Sequence, residues 1–281
     1  MREVKNFYKD IPFNYSKDVD FYFKNIKSTN QVLEYLDLHK LLNKSNIFSN
    51  KSAIKDIIEF GCGTGWLTNS ISYYYNKNLT SVDFTEKAIE MASAVSHKLK
   101  VYPEFHLSDI FDFNIERNFD LVISLGVLHH TSDCKKAFKK ISQFVKKGGY
   151  LYVGLYHLYG RRPMLQFLQS QARWYGEESS YNLFKKMNSS MDDESHSYSW
   201  FRDQVIHPHE TQHTYEELVE WMNEIGFNIV STSINNYKNL KKFENQNLYE
   251  IEKKLEYYSY NKNINDLKFN PGYFTVCAQK T

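Results

Sequence analysis

Cysteine is scarce in this chain: Cys62, Cys134 and Cys277 are the only three in 281 residues. An odd, widely spaced set does not make a disulfide framework and points to a reducing compartment. The opening stretch MREVKNFYKD lacks the apolar core of a signal peptide. No window approaches the roughly 18 apolar residues of a membrane span. Charge of one sign is missing too. Thirty-five basic and 33 acidic residues leave +2, so no net field favours nucleic acid or an anionic membrane. Internal repeats and low-complexity linkers are absent. The expectation is a soluble cytoplasmic protein with no nucleic-acid or membrane partner.

What is present is a core. Hydrophobic residues make up 42% of the chain. At roughly 150 residues per domain, the length suits one large domain or one domain with a sizeable insertion. From Lys55 short apolar runs alternate with amphipathic stretches: IKDIIEF, LTNSISYYY, LTSVDF, EKAIEMASAVSHKL, FDLVISLG, CKKAFKKISQFV and GGYLYVGLYH. That alternation predicts an α/β fold, a doubly wound parallel sheet with helices on both faces. It breaks near Tyr156 and resumes with the helix YEELVEWMNEIG and the strand FNIVSTSI. The expected organisation is a helical N-terminal lid at 1–50, a core at 51–156, an inserted cap at 157–213 and completion of the core at 214–281.

Residues Ile57–Thr68 read IIEFGCGTGWLT. An apolar strand ends at Glu59, three alternate glycines follow, and a helix begins. Glycines allow a sharp turn and a close ligand approach to the helix N-terminus. Asp83 ends the next strand, 22 residues after Gly61. A carboxylate there can accept both hydroxyls of a ribose. Ser108-Asp109 follows the third strand, where Asp109 can meet an adenine amino group and Ile110 the ring. The fourth strand ends in SLGVLHH at the same edge. Strand ends converging on one crevice are where open α/β sheets bind ligands.

The E-x-G-x-G-x-G loop, the strand-end acid, the S-D pair and the D-L-V-x-S-x-x-V-L-H-H strand resemble class I S-adenosylmethionine-dependent methyltransferases. KKGGYLYVGLYH, 146–157, matches that family's entry to the fifth strand. The resemblance implies a seven-stranded, mostly parallel, Rossmann-like sheet and S-adenosyl-L-methionine as cofactor. It implies that Glu59 and the backbone of Gly61, Cys62, Gly63 and Gly65 hold the methionine portion. Asp83 would hold the ribose, Phe84 would flank the adenine, and Ser108, Asp109 and Ile110 would complete that end. Leu125 and Gly126 would line the floor near the sulfonium. Trp66 departs from the pattern, since a small or aliphatic residue is common there; it is expected to pack its helix against the sheet.

A sulfonium is already a strong methyl donor, so the protein has to align a nucleophile and exclude water. A hydroxyl acceptor benefits from a base, and histidine has a suitable pKa. His129 and His130 follow the fourth strand and His157 ends the fifth; the choice among the three stays open. The [DNS]-P-P-[YFW] signature of amino-methylating nucleic-acid enzymes is absent from Ser124–Val127, and none of the cysteines follows a proline. A small-molecule acceptor is the leading class. A protein or RNA methyltransferase, or a cofactor-binding module without catalysis, are the alternatives; a homodimer is left open.

The stretch HPHETQHT, 207–214, contains an H-E-x-x-H pattern. Two histidines four apart bind zinc only on a helix. Thr214 and Glu217 form a capping box before an apolar periodic run, so the helix should begin at Thr214. His209 and His213 then precede it, and no metal is expected. The cap leaves the active edge of the sheet, so Tyr156, Arg161, Trp200, His209 and His213 are expected at the substrate, along with Tyr8 and Tyr15 from the N-terminal run FYKDIPFNY. Residues 235–270 read as a solvated helical stretch.

Overall fold

The computed structural model describes residues 2–29, 54–75, 77–189, 191 and 193–281. Part of the expected lid, 30–50, lies outside those residues. The chain begins with two helices, α1 (Arg2–Lys9) and α2 (Val19–Ser28). Strand and helix then alternate as β1 (Asp56–Phe60), α3 (Trp66–Tyr75), β2 (Asn78–Asp83), α4 (Glu86–Leu99) and β3 (Glu104–Leu107). Next come β4 (Phe119–Leu125), a 3-10 turn at Leu128–His130, α5 (Cys134–Ser142) and β5 (Val145–Tyr156). Three cap helices follow: α6 (Leu158–Tyr175), α7 (Glu177–Met187) and α8 (Glu194–Val205). The chain returns through α9 (Tyr215–Glu224), β6 (Phe227–Thr232), α10 (Leu240–Glu244), α11 (Leu248–Tyr260) and β7 (Tyr273–Lys280).

The seven strands form one sheet in the order β3-β2-β1-β4-β5-β7-β6. β7 runs antiparallel to both neighbours, and the other neighbouring pairs are parallel. Central strands are apolar on both faces because both are covered. Ile57 and Ile58 are adjacent in β1 and both fully buried. Ile58 joins α5 and α9 in one core, whereas Ile57 joins α3 in another. The order reverses at β1 and β4, so their carboxyl ends open a crevice.

The block where the strand–helix alternation breaks, 157–213, is largely helical. Met164 and Leu168 of α6, Phe184 of α7, and Phe201 and Val205 of α8 bury against one another as a separate small core. The N-terminal part is tied down in a similar way. Tyr22 and Ile26 of α2 pack on Val95 and Leu99 of α4. Trp66 belongs to that contact. Its ring meets Phe21 and Tyr22, and Nε1 donates to the Asn14 carbonyl at 3.3 Å. It therefore packs toward the N-terminal helices, not toward the sheet as expected, because α2 covers its face of α3.

The helix at 214 starts where the capping box put it. The Thr214 side chain accepts from Glu217 N, and the Glu217 side chain from Thr214 N. A second acid reinforces this end from far away in sequence. Glu252 of α11 is buried and accepts from Tyr215 N at 2.7 Å and Glu216 N at 3.2 Å. A carboxylate on unsatisfied N–H groups at a helix start is favourable for charge and hydrogen bonding alike.

Candidate active site

The glycine loop is shaped by what lies behind it. Gly61 N and Cys62 N both donate to the Val82 carbonyl, at 2.7 and 3.2 Å. Gly61 has φ +75°, and a Cβ there would overlap the Val127 side chain. Only glycine meets both constraints. Asp83 pins the far side of the loop. Its Oδ2 accepts from Gly63 N at 2.9 Å and its Oδ1 from Thr85 N at 2.8 Å. Burial raises the Asp83 pKa, and those hydrogen bonds work against the rise. Two amides use only part of a carboxylate's acceptor capacity, which leaves lone pairs for a ligand hydroxyl.

These groups face a cavity of about 90 Å³. Gly61, Gly63, Asp83, Phe84, Ser108, Asp109, Ile110, Leu125 and Gly126 all line it. Of the expected cofactor residues, Glu59, Cys62 and Gly65 do not. Glu59 sits beneath the loop, takes a hydrogen bond from the Thr68 hydroxyl, and is pushed up to about 7 by burial. Cys62 is buried. Gly65 packs so closely on α4 that a Cβ would stand 2.7 Å from that of Ala92.

The opposite wall comes from the N-terminus, the 3-10 turn and the cap: Val4, Tyr8, Pro12 and Phe13, then Val127, His130 and Thr131, then Asp203 of α8. Tyr8 spans the gap. Its hydroxyl donates to Asp203 Oδ1, and its ring lies 6.2 Å from that of Phe84. Asp203 is buried, and its Oδ2 also takes Gln204 Nε2 at 2.9 Å and the Tyr156 hydroxyl at 3.3 Å. Burial raises the Asp203 pKa.

His130 has its tautomer set by the backbone. Nδ1 lies 2.9 Å from the His209 carbonyl, which can only accept, so Nδ1 carries the hydrogen. Nε2 is then a lone pair. It is buried, has no hydrogen-bond partner among the described residues, and lies 3.8 Å from Asp203 Oδ1. Burial lowers the ring to about 4, so it is neutral at pH 7. His129 is fully buried between His130 and Tyr156, with ring centroids 4.3 and 4.1 Å away, and does not line the pocket. Burial pushes its pKa well down.

His157 is used elsewhere. Its Nδ1 accepts from Tyr159 N and Gly160 N at the start of α6, and its Nε2 meets Glu252 Oε2 at 2.5 Å. Both nitrogens are committed to joining the cap to the C-terminal part. Arg161 is fully buried behind Tyr156, its guanidinium 3.6 Å from the ring centroid. It forks onto Glu210 at 3.0 and 2.7 Å, and onto Gln204 Oε1 and the Gln204 carbonyl, both at 2.9 Å. The glutamate of the H-E-x-x-H stretch is thus the partner of an arginine.

His209 and His213 lie outside the helices and have different partners. His209 Nε2 donates to the Thr131 carbonyl at 2.8 Å, and His213 meets Glu217 at 3.2 Å. No cluster of three metal-ligating side chains occurs among the described residues. Trp200 donates to Asn14 Oδ1 at 2.7 Å, and Tyr15 is buried with its N–H on Ser199; neither lines the pocket. The structure therefore brings Tyr8 and His130 to the pocket and puts Tyr156 and Arg161 in the layer behind. Thr131 is a wall residue that the sequence did not single out, and Asp203 is one polar residue among many in the cap. Asp203 occurs in a polar run of the cap, with no spacing that marks it.

The pocket fits an adenosyl-type ligand: a carboxylate with spare acceptors at the β2 end, a second one at Asp109, apolar Phe84 and Ile110 beside it, and three glycines, Gly61, Gly63 and Gly126, in its lining. Comparison with known proteins agrees. Residues 58–153 match a family model described as "Methyltransferase domain". A putative methyltransferase 235L of Invertebrate iridescent virus 6 is 31% identical over 128 residues, covering 45% of each chain. A malonyl-[acyl-carrier protein] O-methyltransferase of Bacillus cereus is 29% identical over 114 residues, covering 40% of this chain and 42% of that protein. The chain thus spans less than half the length of these two relatives. Among solved structures, the plantazolicin methyltransferase BpumL in complex with SAH superposes with a TM-score of 0.51 at 15% identity, covering 94% of this chain and 89% of that one.

Proposed function

We infer that this chain, which belongs to the class I S-adenosylmethionine-dependent methyltransferases, methylates an O or N atom of a small metabolite held between its glycine loop and its cap. One observation supports this reading above the rest: a single pocket carries Asp83 and the glycine loop on one wall and the free Nε2 lone pair of His130 on the other. When bound, S-adenosylmethionine supplies an electrophilic methyl group. On this reading Asp83 takes the ribose hydroxyls and Asp109 the adenine amine, with Phe84 and Ile110 against the ring. Tyr8 closes the mouth by joining α1 to the cap. His130 takes or holds a proton of the acceptor, and its neutral state at pH 7 keeps the lone pair available.

Of the three histidines proposed from sequence, His130 is the one we retain. His129 is sealed behind it, and His157 has both nitrogens occupied. Residues 157–213 act as a substrate cap. Three free, buried cysteines suit a reducing cytoplasm, and no helix among the described residues is long and apolar enough to cross a membrane.

Calorimetry with S-adenosylhomocysteine tests the cofactor reading, with one-to-one binding expected. Absence of binding by the folded protein overturns it. With an acceptor in hand from metabolite extracts and labelled S-adenosylmethionine, His130→Ala is expected to lower turnover by about 10²-fold or more while leaving S-adenosylhomocysteine affinity unchanged. Equal losses in both would remove His130 from the chemistry.

A further inference from the structure

The charges on the cap side of the pocket do not balance. Arg161 and Glu210 neutralise each other through two hydrogen bonds. Asp203 has no such partner. It is 4% exposed, and its donors are a glutamine and two tyrosines, all neutral. The closest basic nitrogen is His130 Nε2 at 3.8 Å, beyond hydrogen-bond reach and carrying a lone pair. His207 does not supply the missing charge. Its Nδ1 accepts from His209 N at 3.1 Å, so its ring is neutral, and it lies on His130 with centroids 3.8 Å apart.

The inner wall therefore presents two acceptors: Asp203 Oδ1, which takes only the neutral Tyr8 hydroxyl, and His130 Nε2, which has no donor among the described residues. A buried carboxylate held only by neutral donors, with no cationic partner, is costly. A group that brings two hydrogens relieves both atoms at once. Among the described residues, three lining side chains are carboxylates and none is lysine or arginine. A carboxylate or phosphate there would meet the Asp203 carboxylate and the His130 lone pair with no cation to offset them. A hydroxyl has one hydrogen for two acceptors. A primary amine has two, and its lone pair stays free.

We propose that the methyl acceptor is a primary amine whose two N–H groups bridge Asp203 Oδ1 and His130 Nε2. The proposal rests on the methyltransferase reading above. The amine reacts in its neutral form. Its lone pair forms the N–C bond to the methyl carbon, the methyl–sulfur bond breaks, and that pair stays on sulfur. The positive charge moves from sulfur to nitrogen, next to the Asp203 carboxylate, and no proton has to leave in the step. Asp203 is a catalytic residue on this account because it compensates charge that appears as the bond forms.

Two measurements test it. The first compares S-adenosylhomocysteine with sinefungin, the analogue that carries a primary amine in place of the methyl-bearing sulfonium. Calorimetry on wild type and Asp203→Asn should show sinefungin binding more tightly than S-adenosylhomocysteine to wild type. The substitution should weaken sinefungin at least fivefold more than S-adenosylhomocysteine. An unchanged ratio overturns the proposal; no binding of S-adenosylhomocysteine to wild type overturns the methyltransferase reading instead. The second measurement incubates the protein with methyl-labelled S-adenosylmethionine and a metabolite extract. Alkali-stable label that extracts as an organic base supports the amine. Label released as methanol by mild alkali marks a carboxyl ester and overturns it, as does a neutral, alkali-stable ether. With no labelled product, the sinefungin ratio decides.

Discussion

Removing the Arg161 charge while leaving Glu210 in place should unfold the cap at a much lower temperature. Arg161 has no exposed surface, and the Glu210 side chain is 9% exposed. Arg161→Met strands that carboxylate and takes the donors from Gln204 Oε1 and the Gln204 carbonyl. An unpaired buried charge costs about 3–5 kcal/mol. At roughly 2–4 °C per kcal/mol for a chain of this size, Tm should fall by about 6–20 °C. Arg161→Met with Glu210→Leu should regain much of the loss, because an apolar pair replaces a buried ion pair with little penalty. Acid gives a second handle. Burial works to raise the Glu210 pKa, but Arg161 overcomes this and holds it below the ordinary 4.5. The stabilisation is therefore present above pH 4.5 and is lost as pH falls through the lower native value. Thermal melts at pH 7 and pH 4 should show the gap between wild type and Arg161→Met closing at the lower pH. A double variant less stable than the single one, or a gap that widens in acid, would refute the reasoning.

Other expectations follow from single contacts. Glu59 is raised from 4.5 to about 7 by burial, so its stabilising share is complete below pH 4.5 and lost as pH rises through 7. Denaturant melts of the ligand-free protein should show stability declining over that window, and Glu59→Gln should flatten the decline. Gly61→Ala collides with Val127 at positive φ and should abolish S-adenosylhomocysteine binding in calorimetry. Gly126→Ala meets nothing within 4 Å and should cost only the backbone penalty of about 1–2 kcal/mol. His157→Ala leaves two amides and Glu252 short of a partner and should cost about 1–3 kcal/mol, with turnover at saturating substrate retained; a selective loss of turnover would return His157 to the chemistry.

The features legible in the sequence are those set by neighbours in the chain. The strand–helix alternation, the glycine loop, the acid ending β2 and the capping box at Thr214 each need only a few residues to declare themselves. Contacts between distant segments were not legible. His157 looked like a site residue because it ends a strand, but its role depends on Glu252, 95 residues away. Glu210 looked like part of a zinc motif, but its partner is Arg161, 49 residues back. No helix stood out in the cap sequence because ESHSYSWFRDQV shows little contrast between its faces, although seven of its residues are buried. Asp203 stood apart from the other polar residues of the cap only when α8 laid it beside His130.

The placing of β7 has a consequence for how the protein is made. β7 lies between β5 and β6 and pairs with seven consecutive residues of β5, Tyr150–Tyr156. Yet it is the last of the seven strands to leave the ribosome. While residues 157–272 are being translated, a long apolar edge of β5 has no neighbour. Open edges of this kind recruit strands from other molecules. The cap helices, which emerge directly after β5 and bury a core of their own, are the first structure available to shield it. Soluble yield should therefore depend on the cap folding promptly, and substitutions in its small core should raise aggregation in the cell more than their effect on the finished protein would suggest.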